Sequence, residues 1–314
     1  MKYKIAFCGL GSIAKRHLRN VCSCLNRRGD SFEIDLYRSS FKSLPQDLHP
    51  LISQEFLFSE PIIKNYDIVF VTNPTYLHYT TLEKFKSNTK SFFIEKPIFC
   101  NTDVDETLFN DLQSVICYVA CPLRYNPVIQ FVKNNVNLDD VISVRAICSS
   151  YLPDWRPGQD YRMCYSSHRD MGGGVGIDLI HEWDYLTYFF GMPDKCFSIQ
   201  NKISGLDIDS DDIAIYIAET KGKTIELHLD YFGRKATRTL ELYTHDDTIV
   251  GDILNGSIYY SRKGETFFLN AERNAFQMQE IEHFLDIVCH KIPNDSTAEH
   301  AYQVLRLAKG DKYF

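Results

Sequence analysis

Residues 3–14 read YKIAFCGLGSIA, and the fold follows from this stretch. The apolar run Tyr3–Cys8 is strand-sized and stops at a glycine turn. Behind the turn, Ile13, Ala14, Leu18, Val21 and Leu25 recur near helical spacing, which predicts a helix from Ile13 to about Leu25. The turn Gly9-Leu10-Gly11-Ser12-Ile13-Ala14 has the form G-x-G-x-x-A between a strand and a helix. Gly9 permits the tight turn, Gly11 lets the backbone approach a pyrophosphate, and the small Ala14 lets helix and strand pack closely. The amides that open the helix, at Ser12 and Ile13, point the favourable end of the helix dipole at a phosphate. A glycine turn without a ligand is the bland alternative; the flanking strand and helix favour a dinucleotide.

The same rhythm continues outward. Phe32–Tyr37 reads as a second strand, Tyr66–Thr72 (YDIVFVT) as a fully buried one, Leu77–Phe85 as a helix and Ser91–Ile94 as another buried strand. Strand–helix alternation with short turns predicts a parallel sheet covered on both faces, and right-handed crossovers make it a doubly wound Rossmann domain. After about Ala120 the pattern changes. Val141–Ser149 alternates like a strand, 151–171 is a polar, aromatic loop, and Gly172–Phe190 is helical. Alternating runs follow at Asp211–Glu219, Thr224–Tyr231, Thr237–Tyr243 and Ser257–Tyr260, then amphipathic helices at Ala275–Cys289 and Thr297–Lys309. The expectation is α/β plus α+β: a Rossmann domain over 1–120, and over 121–314 an open, mostly antiparallel sheet with helices that binds substrate and oligomerises.

Composition narrows the partners. The 314 residues carry 44% hydrophobic and 24% charged side chains, ordinary for two globular domains. A formal charge of −7 without a basic block argues against nucleic acid. The longest apolar runs are strand-sized, so no membrane span is expected, and no signal-peptide core is seen near Met1. The ten cysteines show no CxxC pair and no zinc-type Cys/His spacing, so thiols in a reducing cytoplasm are expected, with no metal site.

The end of the second strand bears on the cofactor. It reads Asp35-Leu36-Tyr37-Arg38-Ser39-Ser40, with Asp35 too early in the strand to meet a ribose 2′-hydroxyl. Arg38 stands where a guanidinium clamps a 2′-phosphate, helped by Ser39 and Ser40. NADP is therefore the expected cofactor, with NAD the alternative and a solvated Arg38 the bland reading.

Three further segments stand in order behind the glycine motif. They are Val71-Thr72-Asn73-Pro74-Thr75-Tyr76-Leu77-His78, then Glu95-Lys96-Pro97, then Gly172-Gly173-Gly174-Val175-Gly176-Ile177-Asp178-Leu179-Ile180-His181. Together these resemble the glucose–fructose oxidoreductase/inositol dehydrogenase (Gfo/Idh/MocA) family over essentially the whole chain. The resemblance implies that Thr72, Asn73, Pro74 and His78 lie along the cofactor. It also implies that the Glu95-Lys96-Pro97 turn, whose X–Pro bond is often cis in the family, brings Lys96 to nicotinamide and substrate. That turn follows a buried strand, at the sheet edge where open α/β folds bind ligands. Gly172–Gly174 either let backbone pass close to the nicotinamide or simply open the next helix.

Asp178 and His181 are three apart, so on one helix they share a face and supply groups for proton transfer; the bland alternative is an early-helix charge for Asp178 and a plain helix-face residue for His181. The commoner family pattern has histidine four residues after the aspartate, where Glu182 stands here. The ending Asp178-Leu179-Ile180-His181-Glu182-Trp183-Asp184-Tyr185 resembles members associated with bacterial surface-sugar synthesis.

The expected activity is reversible hydride transfer between nicotinamide and a hydroxyl-bearing carbon of a sugar, sugar derivative or polyol. Lys96, Asp178 and His181 would be its catalytic residues. In the polar loop Trp155 and Tyr165 are placed to stack on a sugar, and Arg124 or Arg162 to meet a carboxylate or phosphate. Packing or surface roles are the alternatives for each. A cofactor-binding regulator without turnover, or an imine or dihydrodiol-type oxidoreductase on the same scaffold, are the competing functions. The resemblance implies that the alternating runs at 211–243 serve a homo-dimer or homo-tetramer; packing only against their own helices is the alternative.

Overall fold

A computed structural model describes residues 1–311, which fall into two compact units. The first contains Met1–Phe99, Asp103–Ala120 and Gln277–Tyr302. Its elements begin β1 (Lys2–Cys8), α1 (Ser12–Arg28), β2 (Ser31–Arg38), β3 (Gln54–Leu57) and β4 (Ile68–Val71). They continue α2 (His78–Phe85), β5 (Ser91–Ile94), α3 (Thr107–Asp111) and β6 (Ile116–Val119). The six strands are ordered β3-β2-β1-β4-β5-β6, and every pairing is parallel. This is the doubly wound order, with the reversal between β1 and β4.

Every residue of β4 and β5 is buried, as strands covered on both faces must be. Phe7 stacks on Phe70 with ring centres 4.4 Å apart, and Phe93 lies 5.0 Å from Phe70. Helix α1 runs one turn past Leu25 because Arg27 and Arg28 complement its C-terminal dipole and Gly29, at φ 72°, caps it in the left-handed conformation.

The second unit contains Cys100–Thr102, Cys121–Phe276 and the chain from Gln303. Its elements begin α4 (Pro127–Asn135), β7 (Val141–Tyr151), α5 (Val175–Asp178), α6 (His181–Phe190) and β8 (Lys195–Asn201). Then come β9 (Ile213–Thr220), β10 (Lys223–Asp230), β11 (Phe232–Thr244), β12 (Thr248–Asp252), β13 (Ser257–Tyr260) and β14 (Glu265–Phe268). The eight strands are ordered β14-β13-β12-β11-β7-β10-β9-β8, antiparallel except for β7 with β10. Between Phe232 and Thr237 the register of β11 against β7 shifts, which makes a bulge.

On one face of β8 and β9, Phe197 pairs with Ile217 and Ile199 with Ile215. Phe197, Ile199 and Ile217 are 75%, 62% and 53% exposed, a concentration of apolar surface that scattered exposure does not produce.

Two expectations are corrected. The helix expected over Gly172–Phe190 is two helices, because the chain leaves helical geometry at Leu179 (φ −98°, ψ 28°). Asp178 and His181 therefore do not share the face of one helix. Nor does the second domain hold all of 121–314. Helix α7 (Arg273–Val288) brings Phe284 to within 5.2 Å of Phe93 and 5.5 Å of Tyr118 by ring centres. Gln277–Tyr302, which includes the start of α8 (Ala298–Lys309), belongs to the first unit.

Candidate active site

In the first unit the site begins where β1 ends. Gly9 has φ 92°, and its amide donates to the Tyr37 carbonyl at 2.9 Å. A Cβ there would stand 2.8 Å from Asn73 Cα and 2.9 Å from Asn73 N, so both conformation and space require glycine. Gly11 is the N-cap of α1 at φ −71°. Among the described residues no side chain caps the helix, its first turn holds no acidic residue, and a Cβ at Gly11 meets nothing within 4 Å. The first-turn amides, those of Ser12 and Ile13 among them, thus stand at an open helix end where the dipole favours an anion.

A cleft of about 360 Å³ adjoins that helix end, lined by Gly9, Lys15, Arg38, Ser39, Lys42 and Asn73 among others. Ser39 and Ser40 are exposed at its mouth. Arg38 is buried: its Nη2 donates to the Lys42 carbonyl and its Nε lies 3.2 Å from Glu55 Oε2. Asp35 is held inside the strand layer by Lys64 at 2.7 Å and Tyr66 at 3.0 Å.

The segment after β4 forms the other wall. The Thr72 amide and hydroxyl both donate to the Cys8 carbonyl at 3.0 Å, tying β4 to β1. Asn73 Nδ2 donates at 2.7 Å to Thr81 Oγ1, whose own proton goes to the Leu77 carbonyl. That chain fixes which way the Asn73 amide faces, and it leaves Asn73 Oδ1 buried without a partner among the described residues. Pro74 is exposed along the cleft. His78, in contrast, is buried, with Nδ1 3.1 Å from the Ile98 carbonyl and Nε2 3.1 Å from the Asn73 carbonyl. It fastens the Asn73 segment to the chain beyond Pro97, and burial lowers its pKa.

Glu95, Lys96 and Pro97 follow β5, and the Lys96–Pro97 bond is cis. The Glu95 amide donates to the Val71 carbonyl at 2.9 Å, and its carboxylate accepts from the Lys96 amide at 3.2 Å. That carboxylate also pairs with Nε2 of His17, a buried residue of α1. Burial works against the charge of Glu95, but the His17 hydrogen bond and the His17 and Lys96 charges outweigh it, so its pKa is lowered. The sequence reading missed His17; one histidine on the apolar face of α1 reads as core. It joins the helix that opens at Gly11 to the turn that carries Lys96.

In the second unit Asp178 is buried at the end of α5. Its Oδ2 accepts from Tyr231 Oη at 2.6 Å. Tyr231 is fully buried, its amide donating to the Asp212 carbonyl at 3.0 Å and its carbonyl accepting from Leu152 at 2.9 Å. Burial first, and the Asp178 charge second, raise the Tyr231 pKa; for Tyr165 the Asp178 charge leads. Both phenols therefore stay protonated donors. Trp155 meets the Tyr231 ring edge-on at 5.3 Å, and its Nε1 donates to Ser150 Oγ at 2.9 Å. Tyr231 was another residue the sequence reading missed, since it merely closes the alternating run Thr224–Tyr231.

Other expected site residues have structural partners. Arg124 is buried and binds both oxygens of Asp184, at 2.9 and 2.7 Å, over the ring of Tyr188. Arg162 is exposed and binds both oxygens of Asp160. Glu182, which stands four residues after Asp178, is fully buried and grips Arg238 at 2.5 and 3.1 Å. His181, half-buried, opens α6. Gly173 has a packing reason of its own: a Cβ there would run into the carbonyl oxygens of Tyr165, Ser166 and His168.

No protein-family model matches the sequence, and no curated protein does so either. Solved structures do match by shape. Levoglucosan dehydrogenase in complex with NADH and levoglucosan superposes with a TM-score of 0.83 at 13% identity, over 99% of this chain and 96% of that one. UDP-N-acetylglucosamine 3-dehydrogenase from Acidithiobacillus ferrooxidans gives 0.78 at 17% identity, over 98% and 96%. For myo-inositol 2-dehydrogenase from Lactobacillus plantarum the figures are 0.76, 16%, 98% and 96%. The chain shares the fold of these dehydrogenases. At these identities the likeness establishes the fold alone, and chemistry has to be argued from this chain's own residues.

Proposed function

We propose that the protein is an NAD(P)-dependent oxidoreductase acting on a hydroxyl-bearing carbon of a sugar, sugar derivative or polyol. The observation that carries this reading is the uncapped N-terminus of α1, behind a glycine whose Cβ would collide with Asn73. That cradle, the adjoining cleft and the unpartnered Asn73 Oδ1 suit a dinucleotide's pyrophosphate and ribose. The similarity to levoglucosan dehydrogenase, whose structure holds NADH and levoglucosan, supports the same reading.

The nicotinamide, when bound, exchanges hydride with the substrate's carbinol carbon. Lys96 holds the reacting oxygen and handles its proton, while Glu95, anchored by His17, fixes the lysine's backbone. Asp178, steadied by Tyr231, orients the substrate hydroxyls, and His181 stands by as a further proton carrier. Thr72 and Asn73 flank the cofactor, and His78 braces their segment.

Lys15, Arg38 and Lys42 place positive charge along the cleft, and no carboxylate ends β2. NADP is therefore the preferred cofactor, with Arg38 turned to a 2′-phosphate in competition with Glu55. The apolar cross-strand pairs of β8 and β9 fit self-association as a homo-dimer or homo-tetramer. All ten cysteines are thiols, as a cytoplasmic enzyme would keep them, and no described helix is long and apolar enough to cross a membrane.

The test is a fluorescence titration with NADPH and NADH, followed by a turnover screen over neutral and anionic sugars. Selective loss of NADPH affinity in Arg38→Ala, and loss of turnover with retained cofactor binding in Lys96→Met, are the expected outcomes. Binding of neither nucleotide would remove the reading altogether.

A further inference from the structure

Arginines in the second unit differ in their partners. Arg124, Arg145, Arg162, Arg169, Arg238 and Arg306 each sit on a carboxylate. Arg156 and Arg234 do not. Arg156 lies over the ring of Tyr165 at 5.5 Å and Arg234 over that of Tyr151 at 3.9 Å, and among the described residues neither has an acidic partner within ion-pair distance. The nearest acidic residues in sequence do not neutralise Arg156: Asp154 is exposed and makes no pair with it, and Asp160 is bound by Arg162.

Arg156 is the more informative of the two because of what surrounds it. The Tyr165 ring carries the guanidinium, and Trp155, next to Arg156 in the chain, packs edge-on at 5.3 Å against Tyr231, which donates to Asp178 at 2.6 Å; the Asp178 charge also raises the Tyr165 pKa. A half-buried guanidinium without an acidic partner among the described residues therefore stands beside the aromatic cluster whose Tyr231 holds the carboxylate assigned to the substrate. Stacking covers one face of the guanidinium and leaves its edge, a planar fork of N–H donors suited to two oxygens of a carboxylate or phosphate. The ring holds the fork in place, so less side-chain entropy is lost when an anion binds.

We infer that the substrate is an anionic sugar derivative, and that Arg156, stacked on Tyr165, is the residue that receives its negative group. The inference rests on the oxidoreductase reading for the reaction but not for the binding. Arg124 and Arg162, which sequence alone proposed for this task, are already engaged by Asp184 and Asp160.

Calorimetry measures binding without requiring turnover. The probes are glucuronate for a sugar carboxylate, glucose 6-phosphate for a monophosphate, UDP-N-acetylglucosamine for a diphosphate, and myo-inositol as the neutral reference. At least one anionic probe is expected to bind about ten-fold or more tighter than myo-inositol, a margin that shrinks with salt. Arg156→Gln should erase most of that margin, Arg156→Lys should restore part of it, and NADPH affinity should stay as in the wild type. Which anionic probe gains identifies carboxylate or phosphate as the group recognised. If no anionic probe exceeds myo-inositol, or if the margin survives Arg156→Gln, the subsite is overturned whatever the nucleotides do. Should Arg156-dependent binding appear while neither nucleotide binds, the subsite stands and the oxidoreductase reading fails.

Discussion

Gly9 and Gly11 stand two residues apart, and the structure gives them opposite failure modes. Gly9→Ala places a β-carbon on a residue at φ 92°, which costs a non-glycine residue about 1–2 kcal/mol. The same carbon would sit 2.8 Å from Asn73 Cα, against backbone that cannot swing aside as a flexible side chain can. Displacing it adds a cost comparable to overpacking a core, about 1–3 kcal/mol, so the sum is on the order of 3 kcal/mol. For a unit of this size that corresponds to a drop in melting temperature of roughly 10 °C. Gly11→Ala meets neither obstacle: φ is −71° and nothing lies within 4 Å. Its stability cost should stay below about 1 kcal/mol, the worth of a lost N-cap preference.

If a pyrophosphate does approach Gly11, the added methyl should nevertheless weaken NADPH binding by about ten-fold or more, roughly 1.4 kcal/mol. Thermal melts and NADPH fluorescence titrations on the two variants separate these effects. A Gly9→Ala protein that melts with the wild type would refute the close approach of Asn73. Undiminished NADPH affinity in a well-folded Gly11→Ala would refute the helix end as the phosphate site.

Two further outcomes concern the surrounding structure. Arg238→Met leaves the fully buried Glu182 without its partner and should cost about 3–5 kcal/mol by denaturant unfolding, whereas adding Glu182→Leu should recover most of it. A double variant no better than the single would contradict the pairing. His78 has a folded pKa depressed by burial, so the unfolded chain takes up its proton first as pH falls. Its stability contribution is complete above the unfolded value of about 6.5 and declines below it. Melts between neutrality and mildly acidic pH should therefore flatten in His78→Gln; an unchanged slope would place the acid sensitivity elsewhere.

Strands of the first unit were legible because β4 and β5 are short unbroken apolar runs, and β1 runs into G-x-G-x-x-A. The four-residue β3 and β6 carried too few periods to be read, and β8 was hidden because its outward residues Phe197 and Ile199 break the apolar-in, polar-out alternation. The break between α5 and α6 was also illegible. Residues 175–190 contain no proline and only one glycine, Gly176, and the departure at Leu179 comes from how this segment packs rather than from a breaker residue.

Sequence by itself determined the doubly wound first unit, the glycine turn at its head, and the Glu95-Lys96-Pro97 turn at the end of β5. Each rests on neighbours in the chain: a local apolar period, a backbone conformation open to glycine, a rigid proline. Only the tertiary structure decided which charged side chains are already engaged. Arg124, Arg162 and Glu182 are bound to Asp184, Asp160 and Arg238, while Arg156 meets no carboxylate among the described residues. It also placed His17 on Glu95 and Tyr231 on Asp178, across 78 and 53 residues of chain. The reason is physical: an ion pair or a buried hydrogen bond depends on distance in space, and nothing in the local pattern of a strand or helix records which distant group its side chain will meet.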